Sequence, residues 1–303
     1  MSSLKKIVLG MGYIPNVQFA PFYVADAKGY FADEGLQLDF KYGMEDDLLK
    51  LLGTDKLQFA IGSGDQVILA RSQGLPAVYV ANFYRKFPVN VMSLTEKNIR
   101  TPKDLEGKKV GISCLCGASY VGWQALTYAT GIDASKVNLL VIGFTQAPAV
   151  ERGQVDAALD YVVNGPVQLR QANKEVNLIG ISDYINLVSN GIITNEQAIE
   201  KDPKLVRGMI RAFLRGLQDT VKHPDEALEM TLKYVPEAGG ENRAKTAAIL
   251  QACIELWQGD SLGVSNRQDW EDSQRFMKKA GLIDKETEVD KLFTNQFITD
   301  LPQ

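Results

Sequence analysis

The side chains best suited to binding chemistry fall in four short turns that follow predicted strands. These turns, residues 12–19, 62–65, 113–123 and 160–164, are dense in amide, hydroxyl and aromatic side chains. Amides supply paired hydrogen-bond donors and acceptors, and aromatic faces stack on flat rings. The combination predicts a site for a planar, neutral molecule with a polar edge.

The candidate site takes most of its residues from these turns and adds Tyr84 and Asn190 from elsewhere in the chain. One group is predicted to hydrogen-bond the ligand's polar edge: Asn16, Ser63, Asp65, Ser119, Asn164 and Asn190. A second group is predicted to supply faces for its rings: Phe19, Tyr84, Tyr120, Trp123 and Tyr161. A ligand favours a closed state only by contacting both lobes more strongly there, so we expect each lobe to contribute both kinds of residue.

Each of these residues also has a purely structural interpretation, which the sequence leaves open. A single aromatic residue is often part of a core, and Trp123 is either a stacking ring or a core residue. Ser119 is either a helix N-cap or a hydroxyl offered to a ligand. Asp65 and Asp160 lie in turns before helices, where an aspartate commonly caps the helix instead of acting in catalysis.

The composition excludes several kinds of chemistry. One histidine, His223, and three cysteines make most metal sites and most histidine-dependent catalysis hard to assemble, so we expect no metal and no cofactor. Net charge is −4, without long runs of either sign, and this argues against a nucleic-acid partner. The spacing of Cys114 and Cys116 fits neither a disulfide framework nor a redox motif, and we expect two buried, apolar side chains.

Two series of alternating strands and helices are predicted to position the turns. The first has strands at 6–9, 36–40, 57–61 and 77–81 with helices at 20–28, 45–52 and 65–73; the second has strands at 109–112, 138–142 and 156–159 with helices at 118–130, 146–152 and 166–172. Such alternation is typical of parallel β-α-β units, and therefore of an α/β protein whose sheets are covered on both faces.

The length of 303 residues and the two series predict two lobes. We assign residues 1–94 and 195–303 to lobe 1 and residues 95–194 to lobe 2. The chain is then expected to cross between the lobes near 93–98 and near 184–194. Long amphipathic helices predicted after residue 203 are expected to return to lobe 1.

Several stretches of the chain resemble one known family. The stretches that carry the resemblance are 12–25 (GYIPNVQFAPFYVA), 28–36 (KGYFADEGL), 102–112 (PKDLEGKKVGI) and 153–159 (GQVDAAL). They resemble the sulfonate- and thiamine-pyrimidine-binding family of type II periplasmic binding proteins. Within it, GASYVG at 117–122 and NGPVQL at 164–169 are most similar to the riboflavin-binding branch. The resemblance implies the type II periplasmic-binding-protein fold, with two α/β lobes that close on a ligand in the cleft between them.

The resemblance further implies a solute-binding protein of an ABC importer that captures a flat heteroaromatic vitamin or precursor, of riboflavin or thiamine-pyrimidine type. An alkylsulfonate-type anion is an alternative ligand. Such an anion would need fixed positive charge. The crevice turns contain no lysine, and Arg85 is the only arginine nearby.

A second alternative is an enzyme, because one related branch consists of pyrimidine synthases that use pyridoxal phosphate and consume their own histidine. In that branch, the turn corresponding to Pro15-Asn16 ends in a histidine, where this chain has Phe19. A cysteine-rich, iron-linked motif of that branch is replaced here by VSNGI at 188–192. We therefore predict binding without turnover.

The expected partners are a flavin- or pyrimidine-type small molecule and the permease of an ABC transporter, with the protein itself a monomer. The sequence leads from Met1 directly into a predicted strand, without the pattern of a signal peptide. Either the protein is cytosolic or its export signal is not part of this sequence. The family resemblance implies the second, and with it a periplasmic or extracytoplasmic location, in which a lipid anchor is one form of attachment.

Overall fold

The strands form two five-stranded sheets in the computed structural model, which describes residues 4–259 and 262–298. In chain order they are β1 (Lys5–Met11), β2 (Leu36–Tyr42), β3 (Phe59–Ser63), β4 (Ala77–Asn82), β5 (Val89–Leu94), β6 (Lys109–Ile112), β7 (Asn138–Val141), β8 (Ala157–Tyr161), β9 (Val176–Gly180) and β10 (Asn190–Asn195). The first sheet has the order β2-β1-β3-β10-β4 and the second β7-β6-β8-β5-β9. The predicted α/β class with two lobes is confirmed.

Helices cover both sheets. In chain order the α-helices are α1 (Ala20–Ala27), α2 (Tyr30–Asp33), α3 (Glu45–Gly53), α4 (Gly64–Ser72), α5 (Gly117–Thr130), α6 (Gln146–Glu151), α7 (Gly165–Gln171), α8 (Glu196–Lys201), α9 (Pro203–Lys222), α10 (Pro224–Tyr234), α11 (Arg243–Trp257) and α12 (Arg267–Lys279). In the described part of the chain, no helix combines the length and the apolar character that crossing a membrane requires.

The long helix α9 shows how the carboxy-terminal helices return to the first lobe, as predicted. It begins at Pro203 behind the cap Asp202, whose side chain accepts a hydrogen bond from the Leu205 amide. Its buried residues recur every three or four positions and pack against α1. The approach is close: a Cβ at Gly216 would lie 2.2 Å from the carbonyl oxygen of Pro21.

The strand pairing places both lobe boundaries at residues other than those predicted. Strand β5 falls inside the predicted lobe 1 but pairs antiparallel with β8 and β9 of the second sheet. Strand β10 falls almost wholly inside the predicted lobe 2 but pairs antiparallel with β3 and β4 of the first. The crossovers are therefore residues 83–88 and 181–189, and the sheets are mixed, not purely parallel. Alternation of strands and helices indicates where a strand lies but not which sheet it joins.

The sheets direct the ends of their strands toward a shared edge. The segments after β1, β2, β4, β6, β7 and β8, together with the start of β10, all reach the space between the lobes. Ligands of open α/β sheets bind at this edge, where loops and helix amino termini converge.

Candidate functional site

A cavity of about 310 Å³ lies between the two lobes and is here called the main cavity. The first lobe lines it with the loop after β1, the start of α3 and the segment after β4. The second lobe lines it with residues 113–119, Phe144 and the turn after β8. Its volume is at the lower end of the range for small-molecule sites.

The main cavity brings together about half of the predicted site residues. Those that line it are Phe19, Tyr84, Ser119, Tyr161, Asn164 and Asn190. Phe19, Tyr84 and Asn190 come from the first-lobe side, and the other three from the second. Each lobe therefore presents aromatic and hydrogen-bonding groups to the same space.

The other predicted residues lie outside the wall of the main cavity. The Asn16 side chain caps a short helix by accepting a hydrogen bond from the Gln18 amide. Ser63 and Asp65 are buried behind the wall, and Tyr120 packs against a hydrophobic cluster. Trp123 is 3% exposed and belongs to that same cluster, so the structure supports its core interpretation.

A hydrogen-bond chain links the two lobes at the base of the cavity. The Tyr161 hydroxyl donates to Oδ1 of Asn190 over 3.0 Å, and Nδ2 of Asn190 donates to Oε1 of Glu45 over 3.2 Å. Oε2 of Glu45 accepts from the amide and the hydroxyl of Ser63. Burial, and to a lesser degree the nearby carboxyl of Asp65, raises the pKa of Glu45 to about 8. Glu45 is thus mainly uncharged at neutral pH.

Two further buried carboxyl groups lie close to this chain. Burial raises the pKa of Asp65 and of Asp160 to about 6. Asp160 accepts hydrogen bonds from Nδ2 of Asn164 and from the amide of Tyr161. Oδ2 of Asp65 accepts from Gln66, whereas its Oδ1 is buried with no hydrogen-bond partner in the part of the chain that the structure describes. This side of the site is rich in hydrogen-bond acceptors.

Among the described residues, no lysine or arginine lines the main cavity. Arg85, the arginine that the sequence placed nearby, donates instead to the carbonyl of Gln258. A buried anion is normally held by such cations or by converging amides. The side-chain charges of this site therefore disfavour a sulfonate or a phosphate.

Aromatic rings from the two lobes meet across the cavity. Tyr13 and Phe144 contact edge to face with centroids 5.1 Å apart, and Tyr84 approaches Tyr161 edge-on at 6.5 Å. Nδ2 of Asn164 also reaches the hydroxyl of Tyr13, at 3.4 Å. Edge-to-face contact leaves ring faces free, and these can stack on a flat ligand.

Comparison with known proteins assigns the family. The sequence model described as NMT1/THI5 like matches residues 16–227. The chain belongs to the NMT1/THI5-like family. A curated relative, the riboflavin-binding protein RibY of Chloroflexus aurantiacus, is 40% identical over 98% of this chain and 87% of its own. The family that the sequence motifs predicted is confirmed.

Other relatives in the family bear different names. The formylaminopyrimidine-binding protein of Halalkalibacterium halodurans is 29% identical over 89% of this chain and 84% of its own. The 4-amino-5-hydroxymethyl-2-methylpyrimidine phosphate synthase of Legionella pneumophila is 24% identical over all of this chain and 95% of its own. The relatives of this chain thus include proteins named as binding proteins and a protein named as a synthase.

A solved structure confirms the fold of this NMT1/THI5-like protein. The periplasmic aliphatic sulphonate binding protein SsuA of Escherichia coli superposes with a TM-score of 0.76 at 13% identity, over 95% of this chain and 92% of that one. This likeness establishes the periplasmic-binding-protein fold.

The cysteines of this NMT1/THI5-like chain correct a prediction. Cys114 and Cys116 form a disulfide, and both are only partly buried in the wall of the main cavity. The expectation of two buried apolar side chains was wrong. Alternate residues of an extended segment point the same way, and their Cα atoms are 5.2 Å apart here, which a disulfide can span. The remaining cysteine, Cys253, is buried as a free thiol beside Tyr84.

Sequence reasoning missed some residues that line the main cavity. Tyr42 ends β2, Glu45 opens α3, and Phe144 follows β7. All three obey the strand-end rule that selected the four turns, so extending that rule to every strand end would have found them.

Proposed function

We propose that this protein is the solute-binding component of an ABC importer and that it captures a flat, uncharged heteroaromatic molecule of flavin type in the main cavity. The observation that carries the proposal is the lining of that cavity. Ring faces from both lobes surround hydrogen-bonding amides and buried carboxyl groups, without a lysine or arginine among the described lining residues.

The chemistry of the wall matches the edge of such a ligand. A flavin or pyrimidine ring carries both N–H donors and carbonyl or ring-nitrogen acceptors along its rim. Asn164 and Asn190 offer both kinds of partner, and the mainly protonated Glu45 carboxyl adds a donor and an acceptor in a desolvated setting where hydrogen bonds are strong. The flat faces pack against rings such as Phe19 and Tyr84.

The relatives favour a flavin over a pyrimidine as the ligand. RibY, named for riboflavin binding, is 40% identical, against 29% for the protein named for formylaminopyrimidine binding. Both ligands belong to the class of flat heteroaromatic compounds. A thiamine-type pyrimidine is therefore the second candidate.

The synthase relative raises the alternative of an enzyme, and we propose binding without turnover. Phe19, which stands where the synthase branch has a histidine, lines the main cavity. A phenyl ring neither transfers protons nor donates nitrogen atoms, whereas it stacks well on a flat ligand.

The proposed role implies a cellular location and a protein partner. A solute-binding component works outside the cytoplasmic membrane and docks on a transporter permease, so we propose an extracytoplasmic monomer that pairs with such a permease. SsuA of Escherichia coli, which shares the fold, is itself described as periplasmic.

A thermal-shift panel tests the proposed function. Purified protein, unfolded and refolded to strip bound ligand, is heated with riboflavin, with formylaminopyrimidine or with ethanesulfonate. A ligand that binds only the folded state raises the melting temperature, and at equal ligand concentration the rise grows with the logarithm of its affinity. We expect riboflavin to give the largest rise and ethanesulfonate none. A rise with ethanesulfonate alone would contradict the proposal.

A further inference from the structure

A second cavity of about 270 Å³ adjoins the main cavity and is here called the side cavity. The loop after β1, helices α6 and α7, the turn before α11 and α11 itself line it, so it also lies between the lobes. The two cavities share Tyr13, Phe144, Asp160 and Asn164 as wall residues. The edge-to-face pair of Tyr13 and Phe144 therefore stands at their boundary.

The two cavities differ in chemistry. The main cavity is lined by many aromatic rings, whereas Tyr13 and Phe144 are the only rings among the described residues of the side cavity. Half of the residues that line only the side cavity are polar, namely Asn16, Gln168, Glu237, Asn242, Lys245 and Thr246, and the wall shared with the main cavity adds Gln146. Such a lining suits a flexible chain of hydroxyl groups, because each hydroxyl both donates and accepts, as each amide does.

Gln146 is the most informative of these residues. It opens α6, lines both cavities and is only 5% exposed. Its side-chain amide has no hydrogen-bond partner within residues 4–259 and 262–298, and its polar atoms keep access to solvent. A ligand group that enters the cavities can therefore replace water as the hydrogen-bond partner of this amide.

We propose that the side cavity is a subsite for an uncharged polyhydroxylated chain attached to the ring bound in the main cavity, with Gln146 hydrogen-bonding the chain where it passes Tyr13 and Phe144. This inference rests on the proposed function and narrows it. The full ligand is then a flavin with a free sugar-alcohol chain, and a bare ring or a small pyrimidine fills only the main cavity.

Charge in the side cavity favours a neutral chain over a phosphorylated one. Asp160 and Glu237 contribute carboxylates, against the one cation Lys245 among the described lining residues. A terminal phosphate would add negative charge beside this excess, and like charges in a partly buried site repel.

Equilibrium titration of three related flavins tests the subsite. Riboflavin carries the hydroxylated chain, lumiflavin has a methyl group in its place, and flavin mononucleotide carries the chain with a phosphate. Two or three additional hydrogen bonds should make riboflavin bind at least about 10-fold more tightly than lumiflavin. We expect flavin mononucleotide to bind more weakly than riboflavin.

Two matched variants locate the effect. Gln146→Leu removes the amide at similar size and should weaken riboflavin binding about 5-fold and lumiflavin binding clearly less. Gln171→Leu makes the same chemical change at an exposed position of α7 that lines neither cavity, and both affinities should be retained. Melting temperatures of both variants confirm that they fold.

The outcomes separate the subsite from the function on which it rests. Equal affinity for riboflavin and lumiflavin overturns the subsite and leaves the proposed function standing. Tighter binding of flavin mononucleotide than of riboflavin would contradict the proposal that the side cavity prefers an uncharged chain. If Gln146→Leu lowers the affinity for riboflavin and for lumiflavin equally, the proposed role of Gln146 is wrong. If no flavin binds, the proposed function fails, and the subsite fails with it.

Discussion

The hydroxyl of Tyr161 donates a 3.0 Å hydrogen bond to Oδ1 of Asn190, and this bond joins the two lobes. Tyr161 ends a strand of the second sheet, and Asn190 begins a strand of the first. Because Nδ2 of Asn190 in turn donates to Glu45, the bond orients an amide and a partly buried carboxyl at the base of the cleft.

Tyr161→Phe removes this hydroxyl and keeps the ring. We expect ligand affinity to fall about 5-fold, because Asn190 is no longer held in place and the closed state loses one contact between lobes. The change is measured by titration of wild-type and variant protein. Tyr184→Phe, at an exposed tyrosine outside both cavities, is the control, and equal affinity in all three proteins would contradict the role of the bond.

Trp123 is expected to act on stability and not on binding. Trp123→Ala removes a large side chain from the core and should lower the free energy of unfolding by about 3–5 kcal/mol, while affinity at low temperature is kept. Denaturant unfolding and titration measure the two effects. Tyr128→Ala on the same helix, where the ring is 43% exposed, should cost much less stability. A large loss of affinity without a loss of stability would instead support the prediction that Trp123 stacks on the ligand.

Glu45 should make stability depend on pH. Its pKa rises from 4.5 to about 8 in the folded protein, so folding takes up a proton between these values. The stability linked to this group is then fully present below about pH 4.5 and is lost as the pH rises to about 8.

Glu45→Gln should flatten this loss, most clearly between about pH 6 and 8, because Asp65 and Asp160 have already titrated near pH 6. Denaturant unfolding at several pH values measures the slope. The exposed Glu241→Gln should behave as the wild type. A slope in Glu45→Gln as steep as in the wild type would show that Glu45 is not the group responsible.

The cysteines give a chemical prediction. The denatured, unreduced protein should expose one thiol, from Cys253, and the reduced protein three. Because the Cys114–Cys116 bridge closes a very short loop, its reduction should cost no more than about 2 kcal/mol of stability. Thiol titration and unfolding with and without reductant measure both effects. Three thiols before reduction would contradict the disulfide.

The sequence predicted the parts of the site that follow from local rules. Tyr161 and Asn164 lie in a turn at a strand end, and the strand-end rule placed them in the cleft. Trp123 lies three residues from Tyr120 on one helix, and helical spacing does not say whether that face meets the cleft or the core. In the sequence, Glu45 looks like an ordinary carboxylate in the first turn of a helix. Its environment is created by the packing of β3 and β10 around it, which the local sequence does not show.

Calorimetric titration of riboflavin into the refolded, ligand-free protein, with ethanesulfonate titrated in parallel, is the strongest test of whether the main cavity binds a neutral flavin. We expect saturable binding of one riboflavin per chain and no heat from ethanesulfonate beyond dilution. Saturable binding of ethanesulfonate, with none of riboflavin, would contradict it.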